Sequence, residues 1–467
     1  MLAGSVAMTE DLAQVLYRHL VRDDGQEDVV FAIWYPSQGA ARRTALLHHA
    51  ILPEEGDREV HGNASFNGQY FEKALRSARR HGGGVALLHS HPHGSTWQGL
   101  SPDDFSAEAG HAGATAAATD LPLLGLTLGC QTNEWSARFW ARVAPRKYEP
   151  AWCDSVRVVG KGLRVSFNPT IPIPKPKREL LRTTSVWGEE LQAAFGRMHV
   201  GVVGGGSVGA LVAESLARMG VGRLSLIDFD RVERHNLDRL LHASGRNIGE
   251  LKVVTLSRAL IESATADRFQ VLAVSESLTH EPGYRAALDC DVLFSCVDRP
   301  WPKRILNHLA YAHLVPVVDG GIAIYAPEGR LKHADWSART AGPLRACLEC
   351  TGAYDPGLVA AEMDGFLDQP RYIEGLPEDH ALRRNENVFP FSMSLAAHEV
   401  LQFIAMVTGM KRMHDVGEQR YHYYPGTMDA SEVRCAATCP HRKLVATGDK
   451  EFTLFRTRGE GRSERLN

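Results

Sequence analysis

The chain has 467 residues, 44% of them hydrophobic and 23% charged, an ordinary composition for folded protein and length enough for roughly two to four domains. A formal net charge of −3 argues against a broad electrostatic footprint for nucleic acid, and no uninterrupted apolar run reaches bilayer length, so no membrane span is expected. The opening MLAGSVAMTEDLAQV lacks a basic leader and turns acidic at Glu10 and Asp11, so it does not read as a signal peptide, and the expected location is cytoplasmic.

In chain order, a helix is expected over 10–21 and strands over 28–35 (DVVFAIWY) and 43–52. A helix follows over 68–80, a short apolar strand over 85–89, and a helix begins at 103–108. A hairpin over 155–167 turns at Gly160-Lys161-Gly162. This is a mixed α/β or α+β pattern. The stretch NPTIPIPKPKR (168–178) then places four prolines in eight positions. Proline fixes φ and cannot donate to a ladder, so the stretch reads as an extended linker. The expected division is a domain over 1–168, a linker over 169–177, a second domain over 178–441 and a tail over 442–467. The second domain alternates strands (199–204, 223–228, 269–274, 292–297, 315–319) with helices (207–219, 250–263, 302–313). That alternation predicts a Rossmann-like, doubly wound, largely parallel sheet.

The first of these strands ends in Gly204-Gly205-Gly206-Ser207-Val208-Gly209. Gly204, Gly206 and Gly209 fit G-x-G-x-x-G, which lets backbone approach a phosphate at a helix N-terminus. Asp228 closes the next strand, 19 residues after Gly209, where an acid can accept from ribose hydroxyls. A nicotinamide dehydrogenase shares these features. The residues downstream of Asp228 are not dehydrogenase-like: Asn236-Leu237-Asp238-Arg239, then Lys252 13 residues after Arg239, then Asp298 after the apolar VLFSC. In order and spacing these residues resemble the MoeB/ThiF/ubiquitin-activating superfamily over about 260 residues. The resemblance implies adenylation of a carboxylate by ATP. Arg239 and Lys252 would supply charge to the phosphates, Asp298 would hold Mg2+, Asp228 the ribose, and Asn236 would orient the phosphates. It also implies a homodimer through this domain, with Arg182, or next to it Arg178, reaching across.

Eight cysteines in a cytoplasmic chain point to metal ligands or thiols rather than a disulfide framework. Cys347-Leu348-Glu349-Cys350 and Cys435-Ala436-Ala437-Thr438-Cys439 form two short pairs, which suit one structural, tetrahedral Zn2+. Similar pairs occupy the corresponding places in the family, although here the second pair has three intervening residues. Many ubiquitin-activating enzymes pass the adenylate to a cysteine beyond the first pair, but residues 351–434 contain none. The stretch 351–390 is expected as a long polar loop over the substrate. The adenylate could pass to a separate thiol, to a conjugating enzyme or to a hydroxyl.

In the N-terminal domain, His89 and His91 at i, i+2 end the apolar strand and project the same way. Asp104, in Ser101-Pro102-Asp103-Asp104, can supply a third ligand and leave a fourth zinc position for water. The Ser-x-x-Asp could equally be a helix cap. His-x-His, a spacer, Ser-x-x-Asp and an upstream glutamate together resemble the JAMM/MPN zinc isopeptidases over roughly residues 8–150. The resemblance implies a cytidine-deaminase-like α/β fold, a catalytic Zn2+, Glu27 as general base and Ser101 beside the tetrahedral intermediate. The spacer from His91 to Ser101 has nine residues, two more than usual.

Together the two resemblances imply a bifunctional enzyme of a bacterial ubiquitin-like conjugation system, of the kind linked to phage defence. One domain would activate a ubiquitin-like protein and the other would cleave after its C-terminus. A sulfur-carrier activator with a trimming peptidase, and a non-catalytic module binding ubiquitin-like folds, are the alternatives.

Overall fold

The apolar run VVFAIWY has no polar alternation, and the computed structural model shows why. The structure describes residues 3–175, 177–375, 386–409, 415–450 and 455. It divides into two units. The first holds the N-terminal stretch up to Pro172, and the boundary falls inside the Pro-rich segment.

The first unit contains β1 (Ala3–Thr9), α1 (Glu10–Leu20), β2 (Val29–Gln38), β3 (Arg42–Ile51), β4 (Arg58–His61) and β5 (Asn63–Phe66). Next come α2 (Gly68–His81), β6 (Gly84–His91), α3 (Pro102–Thr119), β7 (Leu124–Gly129), β8 (Glu134–Ala144), β9 (Lys147–Trp152), β10 (Ser155–Val159) and β11 (Leu163–Phe167). Nine strands form one sheet in the order β11-β10-β1-β3-β2-β6-β7-β8-β9, and β4 and β5 form a separate hairpin. The sheet is mixed: β1 runs parallel to β3 and β10, and β6 parallel to β7. β2 lies inside it with both faces covered. Val30, Ala32 and Trp34 pack into one core with α1, and Val29, Phe31, Ile33 and Tyr35 into the other with α2. A strand buried on both faces reads as a continuous apolar run.

The helices start at side-chain caps. Thr9 accepts from Leu12 N–H (3.2 Å) and Asn67 from Tyr70 N–H (2.8 Å). Ser101 and Asp104 cap each other at the start of α3. The stretch 444–450, expected as part of the tail, packs with this unit: Gln38 N–H donates to Asp449 (2.7 Å) and the Lys450 ammonium sits 4.9 Å from the Tyr35 ring centre. Residues 456–467 lie outside the described residues.

The second unit contains α4 (Leu181–Arg197), β12 (His199–Val203), α5 (Ser207–Arg218), β13 (Arg223–Ile227), α6 (Lys252–Ser263), β14 (Gln270–Val274), α7 (Glu281–Leu288), β15 (Val292–Ser295) and α8 (Pro300–Ala312). β16 (Val317–Tyr325), β17 (His333–Ala341), α9 (Pro356–Met363), α10 (Pro370–Glu374), α11 (Phe389–Thr408), β18 (Glu418–His422) and β19 (Thr427–Ser431) complete it. The sheet order is β14-β13-β12-β15-β16-β17-β18-β19. Its first five strands are parallel, and β17, β18 and β19 extend it antiparallel.

Two expectations change here. β16 does not stop at Asp319 but continues to Tyr325 in a long antiparallel pairing with β17. The stretch 351–390 is not simply a loop: α9 and α10 occupy part of it, the first capped by Asp355, whose carboxylate accepts from Gly357 N–H (2.7 Å). Residues 376–385 of that stretch lie outside the described residues. Among the described residues, one helix, α11, is long and apolar enough to cross a membrane by length and composition. Its run of apolar residues is interrupted by His398, Glu399 and Gln402, and Glu399 and Gln402 are fully buried within the unit.

Candidate active sites

β12 runs into the glycine turn. Gly204 sits at φ +96°, and a Cβ on Gly209 would lie 1.8 Å from the Gly204 carbonyl oxygen. Only glycine permits that first turn of α5 to close on the strand. Asp228, just past β13, fastens the turn from the side. One carboxylate oxygen accepts from Gly205 N–H (2.6 Å) and the other from Asp230 N–H (2.7 Å). Each oxygen keeps a further lone pair for a ligand hydroxyl. Burial pushes the Asp228 carboxyl up from its ordinary value.

Lys252, the first residue of α6, adjoins the same turn: its Cβ lies 3.7 Å from where a Gly205 side chain would begin. Its ammonium pairs with Asp230 (2.8 Å), a partner that sequence reasoning did not single out although it stands in the same Asp-Phe-Asp run. Arg239 donates to Asp238 and to the His235 carbonyl, both at 2.8 Å. Asn236 uses its side-chain oxygen locally, accepting from Glu233 N–H (3.2 Å). Asp298 is exposed beyond the end of β15, and Arg182 is exposed on the first turn of α4. Next to Asp298, Arg299 reaches the Leu367 carbonyl (3.3 Å), and Glu362 of α9 accepts from Trp301 N–H (2.8 Å) at the start of α8. The segment beyond the first cysteine pair is thereby anchored beside Asp298.

Cys347, Cys350, Cys435 and Cys439 come together with sulfurs all within 4.8 Å of one another. Tetrahedral zinc thiolate geometry requires sulfurs about 3.8 Å apart, and Cys347 and Cys439 lie at 3.6 Å. The Cys347–Cys435 hydrogen bond pulls the Cys435 thiol down and pushes the Cys347 thiol up, so one thiolate of the pair is stabilised by its neighbour. The four residues fit a structural zinc.

In the first unit, β6 carries His89 and His91 to the rim of the sheet, and α3 brings Asp104 in at its third position. The His89 Nε2 lies 3.5 Å from one Asp104 oxygen and the His91 Nε2 lies 3.4 Å from the other. One donor atom from each of His89, His91 and Asp104 lies within 4.8 Å of the others, so the set could hold a zinc ion with a fourth position left for water. Ser101 Oγ accepts from Asp104 N–H (3.1 Å) and Asp104 accepts from Ser101 N–H (2.9 Å), which fixes the carboxylate where the histidines meet it. Burial opposes the Asp104 charge, yet the bonds to His89 and His91 hold its carboxyl well below the usual range.

β2 and β6 pair antiparallel with Val29 opposite His89, so two residues further out the pairing sets Glu27 toward His91. Glu27 is half-buried, and burial pushes its carboxyl up while the two histidines pull it down. Around His89 lies a network that sequence reasoning missed, with Glu108 3.9 Å from the His89 Nδ1. Thr127, the register partner of His89 on β7, contacts its Nε2 at 3.2 Å. Arg138 of β8 donates to Thr127 (2.8 Å) and to Glu108, and Glu108 also accepts from the Trp140 indole (2.5 Å).

An open sheet with a glycine turn after a parallel strand, an acid closing the neighbouring strand and a lysine opening the following helix define a Rossmann-like nucleotide-binding domain. The family model described as the ThiF family matches residues 178–441, and the chain belongs to that family. It is 29% identical over 185 residues to the tRNA threonylcarbamoyladenosine dehydratase of Escherichia coli, covering 38% of this chain and 66% of that protein. It is 32% identical over 178 residues to ubiquitin-like modifier-activating enzyme 5 of Drosophila willistoni, covering 35% and 40%. It is 29% identical over 161 residues to the sulfur carrier protein adenylyltransferase of Thermus thermophilus, covering 34% and 59%. The chain thus spans about two-fifths to two-thirds of the length of these relatives.

Proposed function

We propose that the second unit uses ATP and Mg2+ to adenylate the C-terminal carboxylate of a small protein of the ubiquitin-like or sulfur-carrier kind. The observation that carries this reading is the ThiF-family match over 178–441, laid on a glycine turn fastened by Asp228 with Lys252 at its edge. A substrate carboxylate oxygen attacks the α-phosphorus, the bond to the bridging oxygen breaks, and pyrophosphate leaves. The turn and the N-terminus of α5 cradle the phosphates. Lys252 and Arg239 offset the charge that accumulates as the two anions meet. Asp228 holds the ribose and Asn236 orients the phosphates. Asp298 would hold Mg2+, which when bound would supply positive charge against the phosphates. A second copy of the chain would bring Arg182 to the site. Residues 351–434 hold no cysteine, and the adenylate would pass to a separate thiol, to a conjugating enzyme or to a hydroxyl.

The test is ATP–pyrophosphate exchange with candidate ubiquitin-like and sulfur-carrier proteins. Asp298→Ala should lower exchange at least ~100-fold, the scale of losing a preorganised electrostatic contact. Near-normal exchange by that variant with an active partner would overturn the assignment.

The convergence of His89, His91 and Asp104 favours a second activity in the first unit, hydrolysis of peptide or isopeptide bonds after the partner's C-terminus. These three residues would hold Zn2+, which polarises a carbonyl and acidifies water when bound. Glu27 takes the proton of the attacking water and returns it to the leaving amine. Ser101 steadies Asp104 through the cap and lies beside the developing tetrahedral centre. Cleavage of a ubiquitin-like fusion by the wild-type protein, abolished in Glu27→Ala, is the expected result. Equal cleavage by both proteins would refute this second activity.

A further inference from the structure

We infer that Gln98, in the long spacer between His91 and Ser101, is a positioning residue that fixes the ring orientation and tautomer of His91 for zinc. The inference rests on the reading of His89, His91 and Asp104 as zinc ligands. His91 Nδ1 lies 3.2 Å from Gln98 Oε1. The amide cannot be turned around, because its nitrogen donates to two carbonyls, Ser95 at 2.8 Å and Thr96 at 3.0 Å. A flipped amide would set its oxygen against both. The oxygen must therefore face His91, and Nδ1 must carry the proton. The lone pair is left on Nε2, the nitrogen that faces Asp104 at 3.4 Å. A ligating histidine held by an acceptor on its other nitrogen is pre-oriented and more basic toward the metal.

The spacer is built around this amide. Thr96 sits at φ +65°, a conformation that a β-branched residue adopts only when its surroundings impose it. Its N–H donates to Thr132 (3.0 Å), and its carbonyl accepts from Gln98. A Cβ on Gly94 would lie 2.5 Å from Gln98 Oε1, and one on Gly129 would lie 3.0 Å from the Thr96 carbonyl and 3.4 Å from the Gln98 amide nitrogen. Glycine at both places leaves the room the amide occupies. The residues that lengthen the spacer thus carry a clamp for the second histidine.

The experiment measures zinc affinity of the full chain by chelator competition, with the four-cysteine site kept loaded. Gln98→Leu keeps similar bulk and removes the acceptor, and should weaken zinc at this site about 10- to 100-fold. Gln98→Glu keeps an oxygen toward Nδ1, at the cost of facing two carbonyls, and should recover part of the loss. His91→Ala should lose the site altogether. If Gln98→Leu does not fold, Gln98→Met serves instead, since it keeps the length of the side chain and removes the acceptor; it should weaken zinc comparably. Affinity within threefold of wild type in a folded Gln98→Leu or Gln98→Met, while His91→Ala loses the ion, would overturn the role of Gln98 alone. No zinc beyond that held by the cysteines, or full affinity in His91→Ala, would overturn the zinc reading itself.

Discussion

Arg138→Met should cost the first unit about 3–5 kcal/mol, because it strands a buried carboxylate. The side chains of Arg138 and Glu108 are 0% and 1% exposed. The guanidinium engages both carboxylate oxygens and, through its other terminal nitrogen, Thr127. Without it, Glu108 retains the Trp140 indole N–H (2.5 Å) and the His89 Nδ1 at 3.9 Å, but loses the guanidinium that engaged both its oxygens. The carboxylate already fills the space that a side chain at position 125 would need: a Cβ on Gly125 would lie 2.2 Å from it. The double variant Glu108→Leu/Arg138→Met removes both charges and leaves Trp140 and Thr127 short of a partner, a cost of about 1–3 kcal/mol. It should therefore be more stable than Arg138→Met. A chain of two units has no single unfolding free energy, so the measurement is native-state hydrogen exchange on peptides of β8. Arg138→Met with β8 protection within about 1 kcal/mol of wild type, or a double variant costing the sum of its singles, would refute the reasoning.

Three further outcomes are expected. Elemental analysis should find two zinc ions per chain in the wild type and one in either Cys347→Ser or His91→Ala; only Cys347→Ser should also lower thermal stability, since thiolate sites are coupled to folding. Glu27→Ala should leave pyrophosphate exchange on a mature partner intact while abolishing cleavage, and Asp298→Ala should do the reverse; assaying both variants in both reactions checks this. Burial, with the nearby His48 and His81, pulls His49 from its ordinary value of 6.5 down to about 4. A lowered histidine value means that its contribution is present above pH 6.5 and lost as the pH falls through 4. His49→Gln should flatten that part of the melting-temperature profile, and an unchanged profile would show that another group sets it.

What is legible in the sequence comes from local signals. The glycine turn, Asp228 and Lys252 belong to one strand–turn–helix region whose chemistry is written in nearby residues. Ser101 and Asp104 announce the start of α3, and His89 and His91 the end of β6, because caps and strand periodicity act over a few positions. β1 is not expected from sequence, because AGSVAMT has little strand-like bulk; it forms through parallel pairing with β3 and β10, far along the chain. The antiparallel extension escapes sequence reasoning for a related reason. β19, TMDAS, is exposed along its whole length and has no apolar face to announce it.

The residues that sequence reasoning missed in the two sites share one property: they reach their partners through pairing or loop closure. Thr127 meets His89 because β7 lies in register with β6. Glu108 meets Arg138 because α3 crosses β8, 30 residues away in sequence. Gln98 meets His91 because a strained Thr96 and two glycines fold the spacer back on itself. Ligand and phosphate-binding residues come in short motifs because one strand end or helix start presents several of them together. The groups that orient them answer to geometry that exists only after the chain has folded, so similar motifs can be carried by different supports. That separation makes the supporting residues the ones to substitute. Changing a ligand abolishes a site whatever its function, whereas changing Gln98, which meets His91 on the nitrogen away from Asp104, leaves the ligands in place and grades the site's strength.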